Sequence, residues 1–160
     1  MGFTHLDKKG RARMVGVSKK KVTTRRAKAG GAIYLRESTL AAIAQDKLAK
    51  GDVFAAARLA GIMAAKRCDE LIPLCHNIPL DSVNVELRPD SNPARIEIES
   101  EVLCRAKTGA EMEALLAVTV AALTIYDMVK AVDRTAKIGE IRLLEKSGGK
   151  SGRFVREEDA

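Results

Sequence analysis

The sequence predicts an α+β fold. Long stretches of helical periodicity rich in small apolar residues stand beside shorter runs in which apolar and polar residues alternate. The order reads strand, helix, helix, two strands, long helix, strand. With 160 residues, 46% of them hydrophobic, the chain suits one domain that buries roughly 70% of its unfolded surface.

Residues 1–30 are basic and polar, with Lys19, Lys20, Lys21, Arg25 and Arg26 in a stretch without helical period, and predict an extended N-terminal arm. A single catalytic domain is expected over 31–154, with a tail over 155–160. Within the domain, Ala32 to Leu35 reads as a short strand. Ser38 is placed to cap a helix over Thr39 to Ala49. Lys50-Gly51-Asp52 interrupts it, and Asp52 can cap a longer helix from Val53 to about Leu71, whose Ala56, Ala57, Ala60 and Ala64 predict close packing. Pro73 stops that helix, and Leu74 to Ile78 form a loop between two prolines. Ser82 to Arg88 and Ile96 to Arg105 alternate apolar and polar residues around a Pro89–Pro93 turn, as an antiparallel hairpin does. Thr108 and Glu111 have capping-box spacing ahead of a helix reaching about Val132. A last strand is expected over Lys137 to Leu144, followed by a flexible basic loop, Lys146 to Gly152. This order suits a ferredoxin-like arrangement, an antiparallel sheet with helices packed on one face.

Composition narrows the function. The formal charge of +7 favours an anionic partner. Only Phe3, Tyr34, Phe54, Tyr126 and Phe154 are aromatic, and none is interleaved with the basic runs. Single-stranded nucleic-acid binders stack bases on such side chains, so nucleic acid is not the expected partner. The longest mostly apolar stretch, Ala114 to Val132, is interrupted by Thr119, Thr124, Asp127 and Lys130, and no membrane span is expected. Met1 to Lys9 precede no apolar h-region, and a cytoplasmic protein is expected. Cys68, Cys75 and Cys104 form no CxxC pair and read as buried, reduced thiols.

Several residues could carry chemistry. Asp127 and Lys130 share a face of the long helix, where a carboxylate beside a partly desolvated lysine can move protons. His76, in the loop between prolines, could serve as acid, base or phosphate donor. No second histidine stands at ligand spacing, so no protein metal site is expected. Glu111 has a structural role in the capping box; Glu113 has none. Gly149-Lys150-Ser151 ends like a P-loop, but the required first glycine is Leu144 and no helix follows. Its lysines could still wrap a phosphate.

Seven segments together resemble one family: KGDVFA (50–55), AGI (60–62), AAKR (64–67), LIPLCH (71–76), KTG with EMEA (107–109 and 111–114), AALTIYDMVK (121–130) and KSGGKSG (146–152). They are similar to those of the cyclic pyranopterin monophosphate synthases, molybdenum cofactor biosynthesis protein C, from about Thr4 to Phe154. The resemblance implies a ferredoxin-like subunit in a homohexamer, a trimer of dimers with active sites at subunit interfaces. It implies a lyase converting 3′,8-cyclo-7,8-dihydro-GTP to cyclic pyranopterin monophosphate and pyrophosphate. It makes Asp127, Lys130 and Lys50 catalytic, and Leu74, Cys75, His76, Met112, Glu113, Arg25 and Lys146 substrate-binding. No cofactor is implied, and Mg²⁺, if used, would accompany the substrate triphosphate. One position departs: the family's MVDVS is Met14-Val15-Gly16-Val17-Ser18 here, with glycine in place of a carboxylate. That substitution is the best support for a catalytically silent scaffold. A nucleic-acid module driven by the basic arm is the other alternative, and would bind with steep salt dependence.

Overall fold

The computed structural model describes residues 9–45 and 51–157. The elements are β1 (Thr23–Tyr34), α1 (Glu37–Ala44), α2 (Val53–Lys66), α3 (Cys68–Leu71), β2 (Leu80–Ser91), β3 (Ala94–Ala106), α4 (Glu111–Val129), β4 (Lys137–Ser147) and β5 (Phe154–Val155). The strands form one sheet in the order β2-β3-β1-β4-β5, with every neighbouring pair antiparallel. Without the two-residue β5, this is the ferredoxin-like order.

The hairpin follows directly from its alternation. In β3, Ile96, Ile98, Ser100, Val102 and Cys104 are buried, while Glu97, Glu99, Glu101 and Arg105 face the other way. The helices cover only the first face, because the second is charged and stays wet. There Arg26 pairs with Glu101 at 2.7 Å and Lys28 with Glu99 at 3.3 Å. α4 lies along β1, β3 and β4 with Ala114, Ala117, Val118, Ala121, Ala122, Ile125 and Val129 buried, and α2 packs beside it. Gly61 sets how close the two helices come. A Cβ at that position would stand 2.8 Å from the Ala117 carbonyl oxygen, so a larger residue would push α2 away. α4 is long and apolar enough to cross a bilayer by length and composition, but its apolar face is spent on the sheet.

The sheet claims more of the chain than its sequence suggests. β1 begins at Thr23, inside the segment read as an arm, and not at Ala32. As the central strand it is paired on both sides, so the ladder supports residues of weak strand propensity such as Ala27, Ala29 and Gly30. The basic terminal segment is likewise ordered by pairing. β4 runs on to Ser147, and the chain returns as β5, with Lys146 opposite Phe154 and Glu145 opposite Val155.

Helix ends differ in instructive ways. Asp52 does cap α2, accepting the Ala55 N–H at 2.9 Å. α1 begins at Glu37, two residues earlier than Ser38 would set it, and Arg36 at its N-cap makes no side-chain cap bond. α2 ends at Lys66, and the separate turn α3 carries the chain to Leu71. Thr108 and Glu111 form no capping box: Ala110 stands at the N-cap of α4, and the Glu111 carboxylate lies over Gly109.

Candidate functional site

The N-terminal end of α4 meets the Pro73–Pro79 loop in a buried, polar corner. Met112 is partly exposed there, while Glu113 turns inward and is 2% exposed. Its Oε1 accepts a bond from the Cys75 thiol at 3.6 Å; its Oε2 is buried without a partner. Burial pushes the Glu113 carboxyl above the usual carboxylate range, against the Cys75 contact, which pulls it down. Burial, reinforced by the Glu113 charge, likewise raises the Cys75 and Cys68 thiols. Cys104 is pushed up to about 11 for the same reasons. All three cysteines are free thiols.

His76 is held by the N-terminal segment. Its Nε2 lies 2.8 Å from the Val15 carbonyl, which can only accept, so Nε2 carries the hydrogen. Leu74, Cys75, His76, Thr108, Glu111 and Met112 line a cavity of about 300 Å³ whose far wall is Val15, Val17 and Lys20. Gly16 lies between Val15 and Val17 in the chain, and a Cβ added there would meet nothing within 4 Å. The missing family carboxylate is therefore not excluded by shape.

Arg25 reaches the same end of the sheet from β1, opposite Cys104. Its Nη1 donates to the Gly148 carbonyl at 3.1 Å and its Nε to the Ala106 carbonyl at 3.4 Å. Gly148 has φ +96°, and a Cβ there would lie 2.1 Å from the Thr24 carbonyl oxygen, so only glycine lets the terminal turn close on Arg25. Lys146 pairs with Ala27 on the helix-covered face, and its ammonium donates to the Ser151 hydroxyl. The Lys146–Gly152 segment thus turns back over Arg25 in a defined hairpin.

The other end of α4 is different in kind. Asp127 and Lys130 form an ion pair at 2.7 Å with both side chains more than half exposed, at 57% and 54%. Hydrogen bonding and charge from Asp127 raise Lys130, so in the isolated chain it is the ammonium of a surface ion pair, the bland one of the two readings its place on the helix allows. Asp133 anchors this end. It is fully buried, accepts the Arg36 N–H at 2.8 Å and the Thr135 hydroxyl at 2.8 Å, and lies 3.4 Å from the Arg36 guanidinium. Burial pushes its carboxyl up, but these bonds outweigh it and hold the group below the usual range.

The fold therefore gathers Leu74, Cys75, His76, Met112, Glu113 and Arg25 at one end of α4, with Lys146 on the neighbouring strand. Asp127 and Lys130 stand at the opposite end, separated from Glu113 by about 21 Å of helix at 1.5 Å per residue. Lys50 lies outside the described residues. Two contributors escaped the sequence reading: Cys68, whose sulfur lies 3.8 Å from that of Cys75, and the Val15 carbonyl. Seven-residue spacing across a proline turn announces no contact, and a carbonyl has no signature in sequence.

Comparison of the sequence with known proteins matches it to one family. The MoaC family profile matches residues 14–149. A cyclic pyranopterin monophosphate synthase of Pelotomaculum thermopropionicum is 57% identical over 155 residues, covering 97% of this chain and 91% of the relative. That of Magnetococcus marinus is 57% identical over 155 residues, covering 97% and 95%. Cyclic pyranopterin monophosphate synthase 3 of Mycobacterium tuberculosis is 58% identical over 154 residues, covering 96% and 86%. The match of the family model over residues 14–149 and near full-length identity above one half make this chain a member of the MoaC family.

Proposed function

We propose that this protein is a cyclic pyranopterin monophosphate synthase, converting 3′,8-cyclo-7,8-dihydro-GTP to cyclic pyranopterin monophosphate and pyrophosphate. The observation that carries this reading is the buried Glu113 carboxylate, with one oxygen unpartnered, held against Cys75, which lines a cavity with Leu74 and His76. The amino-pyrimidinone edge of a guanine-derived ring presents adjacent N–H donors, and a desolvated carboxylate is their natural acceptor. Met112 and Leu74 supply apolar walls for the ring. Arg25 and Lys146, held together by the terminal hairpin, supply positive charge for the triphosphate.

Asp127, Lys130 and Lys50 carry the proton transfers in this reading. Ring opening and pterin closure need protons delivered to and taken from nitrogen and oxygen, which a protonated Lys130 held by Asp127 can begin as a general acid. The cyclic phosphate forms when a ribose-derived hydroxyl attacks the α-phosphorus. The bond to the β-phosphate oxygen breaks, and pyrophosphate leaves with its charge stabilised by Arg25 and Lys146. A Mg²⁺ ion on the triphosphate would arrive with the substrate.

About 21 Å of helix is too far for one nucleotide to bridge the two groups within a chain. We therefore assign each active site to two subunits, the Glu113 end of α4 from one and the Asp127 end from its neighbour, in a homohexamer built as a trimer of dimers. The protein belongs in the cytoplasm in this reading. The test is pyrophosphate release and cyclic phosphate formation from 3′,8-cyclo-7,8-dihydro-GTP, followed by complementation. Glu113→Gln and Asp127→Asn proteins, each impaired alone, should regain about one quarter of wild-type activity when unfolded and reassembled at equal ratio, because about one site in four then receives both intact halves. Absence of turnover would remove the enzyme reading. Turnover without complementation would remove the shared site.

A further inference from the structure

Cys68 opens α3, and Cys75 follows the turn at Pro73, where its N–H donates to the Ile72 carbonyl at 2.9 Å. The fold brings their sulfurs to 3.8 Å, and Cys75 Sγ to 3.6 Å from Glu113 Oε1, with all three ligand atoms within 4.8 Å of one another. Those spacings select among chemistries. A disulfide needs sulfurs about 2.05 Å apart. Tetrahedral coordination with metal–sulfur bonds of about 2.3 Å and metal–oxygen bonds of about 2.0–2.2 Å has sulfur–sulfur edges near 3.8 Å and sulfur–oxygen edges near 3.5–3.7 Å. The two separations fit the edges of such a coordination sphere, as they fit the thiol hydrogen bonds the same atoms make without an ion.

A second observation points the same way. Glu113 is 2% exposed, and its Oε2 has no hydrogen-bond partner, so the corner holds an unanswered carboxylate oxygen as well as two thiols. Cys75 is only half-buried and lines the cavity of about 300 Å³, which gives a cation its way in from solvent.

We propose that Cys68, Cys75 and Glu113 form a site for one thiophilic divalent cation, Zn²⁺ in the cell, with a fourth coordination position open to the cavity. Binding deprotonates both thiols and releases two protons. Two thiolates, one carboxylate and the ion leave a net charge of −1, and no electron is transferred. Three protein ligands with one open position make a site that exchanges its ion, unlike a closed four-ligand structural site. Cys75 and Glu113 are also the residues assigned above to the substrate. On that reading the ion and the substrate exclude each other, which makes the cation an inhibitor.

The test uses the full chain, treated with a chelator and titrated with Cd²⁺. The expected result is a thiolate-to-cadmium charge-transfer band that saturates at one ion per chain and is discharged by Zn²⁺. Cys68→Ser and Cys68→Ala should each weaken binding by more than about 100-fold, since losing even an outer partner of a metal ligand costs 10–100-fold. Thermal melting of the metal-free variants separates loss of a ligand from loss of the fold, since Cys68 is buried against Cys75. Absence of the band in the wild-type protein, or a band undiminished in both Cys68 variants, overturns the site. Substrate that abolishes the band supports both the site and the shared use of Cys75 and Glu113. A band that appears, needs Cys68 and ignores substrate upholds the cation site and removes Cys75 and Glu113 from the substrate pocket.

Discussion

The two ends of α4 hold groups of the same classes in opposite settings. At the N-terminal end, Glu113 is buried, short of partners and surrounded by thiols and an ordered loop. At the C-terminal end, Asp127 and Lys130 satisfy each other in the open. The first environment is complete within one chain, and its strain is electrostatic: a carboxylate is held where its charge is poorly solvated. The second pair is more than half exposed, and a neighbouring surface would desolvate it. Within one subunit, chemistry-bearing residues can therefore be buried among fixed partners at one end and left open at the other.

The sharpest way to break this contrast is to remove the exposed pair. Asp127→Asn or Lys130→Ala should lower turnover by about 10²- to 10⁴-fold, the usual worth of a positioned acid or base, while thermal melting barely moves because an exposed ion pair contributes about 0–1 kcal/mol. Unchanged turnover in the Lys130 variant would take that lysine out of the mechanism.

The next largest effect is expected on the fold, from the residue that anchors the same helix end. Asp133→Ala orphans the Arg36 and Thr135 N–H groups and the Thr135 hydroxyl, and should cost about 3 kcal/mol in denaturant unfolding. The sign with pH follows from its depressed carboxyl. The stabilisation is present above the unfolded-state value near 3.9 and fades as pH falls through the lower folded value. The gap between wild type and variant should therefore hold at neutral pH and close only below about pH 4. A gap that closed at pH 6 would assign the effect to another group.

At the buried end, Glu113→Gln keeps shape and removes charge. It should reduce kcat/KM by about 10- to 100-fold, the worth of a hydrogen bond to a charged acceptor, with most of the loss in KM. A pure kcat loss would make Glu113 a participant in the chemistry and not a binding group. The smallest change is expected from Gly16→Asp, whose added side chain meets open space. Stability should stay within about 0.5 kcal/mol in thermal melts. A large gain in turnover would show that the arm needs the carboxylate the family carries there.

Much of this was legible before any coordinates. Alternation in β2 and β3 named the hairpin because one face is buried and the other solvated, and Asp52 named the start of α2 because its carboxylate can reach an orphan N–H. Thr108 and Ser38 carried the same kind of signal and failed. A cap forms only where the chain's path into the helix allows it, and tertiary contacts set that path. β1 was under-read for a related reason, since its strand character comes from two paired neighbours and not from its own residues. The site was legible as segments but not as a place: Leu74–His76, Met112–Glu113 and Arg25 meet, while Asp127 and Lys130 do not join them.

By itself, then, the sequence determined the α+β class, the central hairpin, the long core helix and the family, because those depend on local periodicity and on motifs read in order. Only the tertiary structure decided that Glu113 is buried with a free oxygen, that Cys68 lies against Cys75, that the terminal basic segment folds back on Arg25, and that Asp127 and Lys130 stand apart. Those are properties of distance and desolvation between residues far apart in the chain, and no local pattern encodes them.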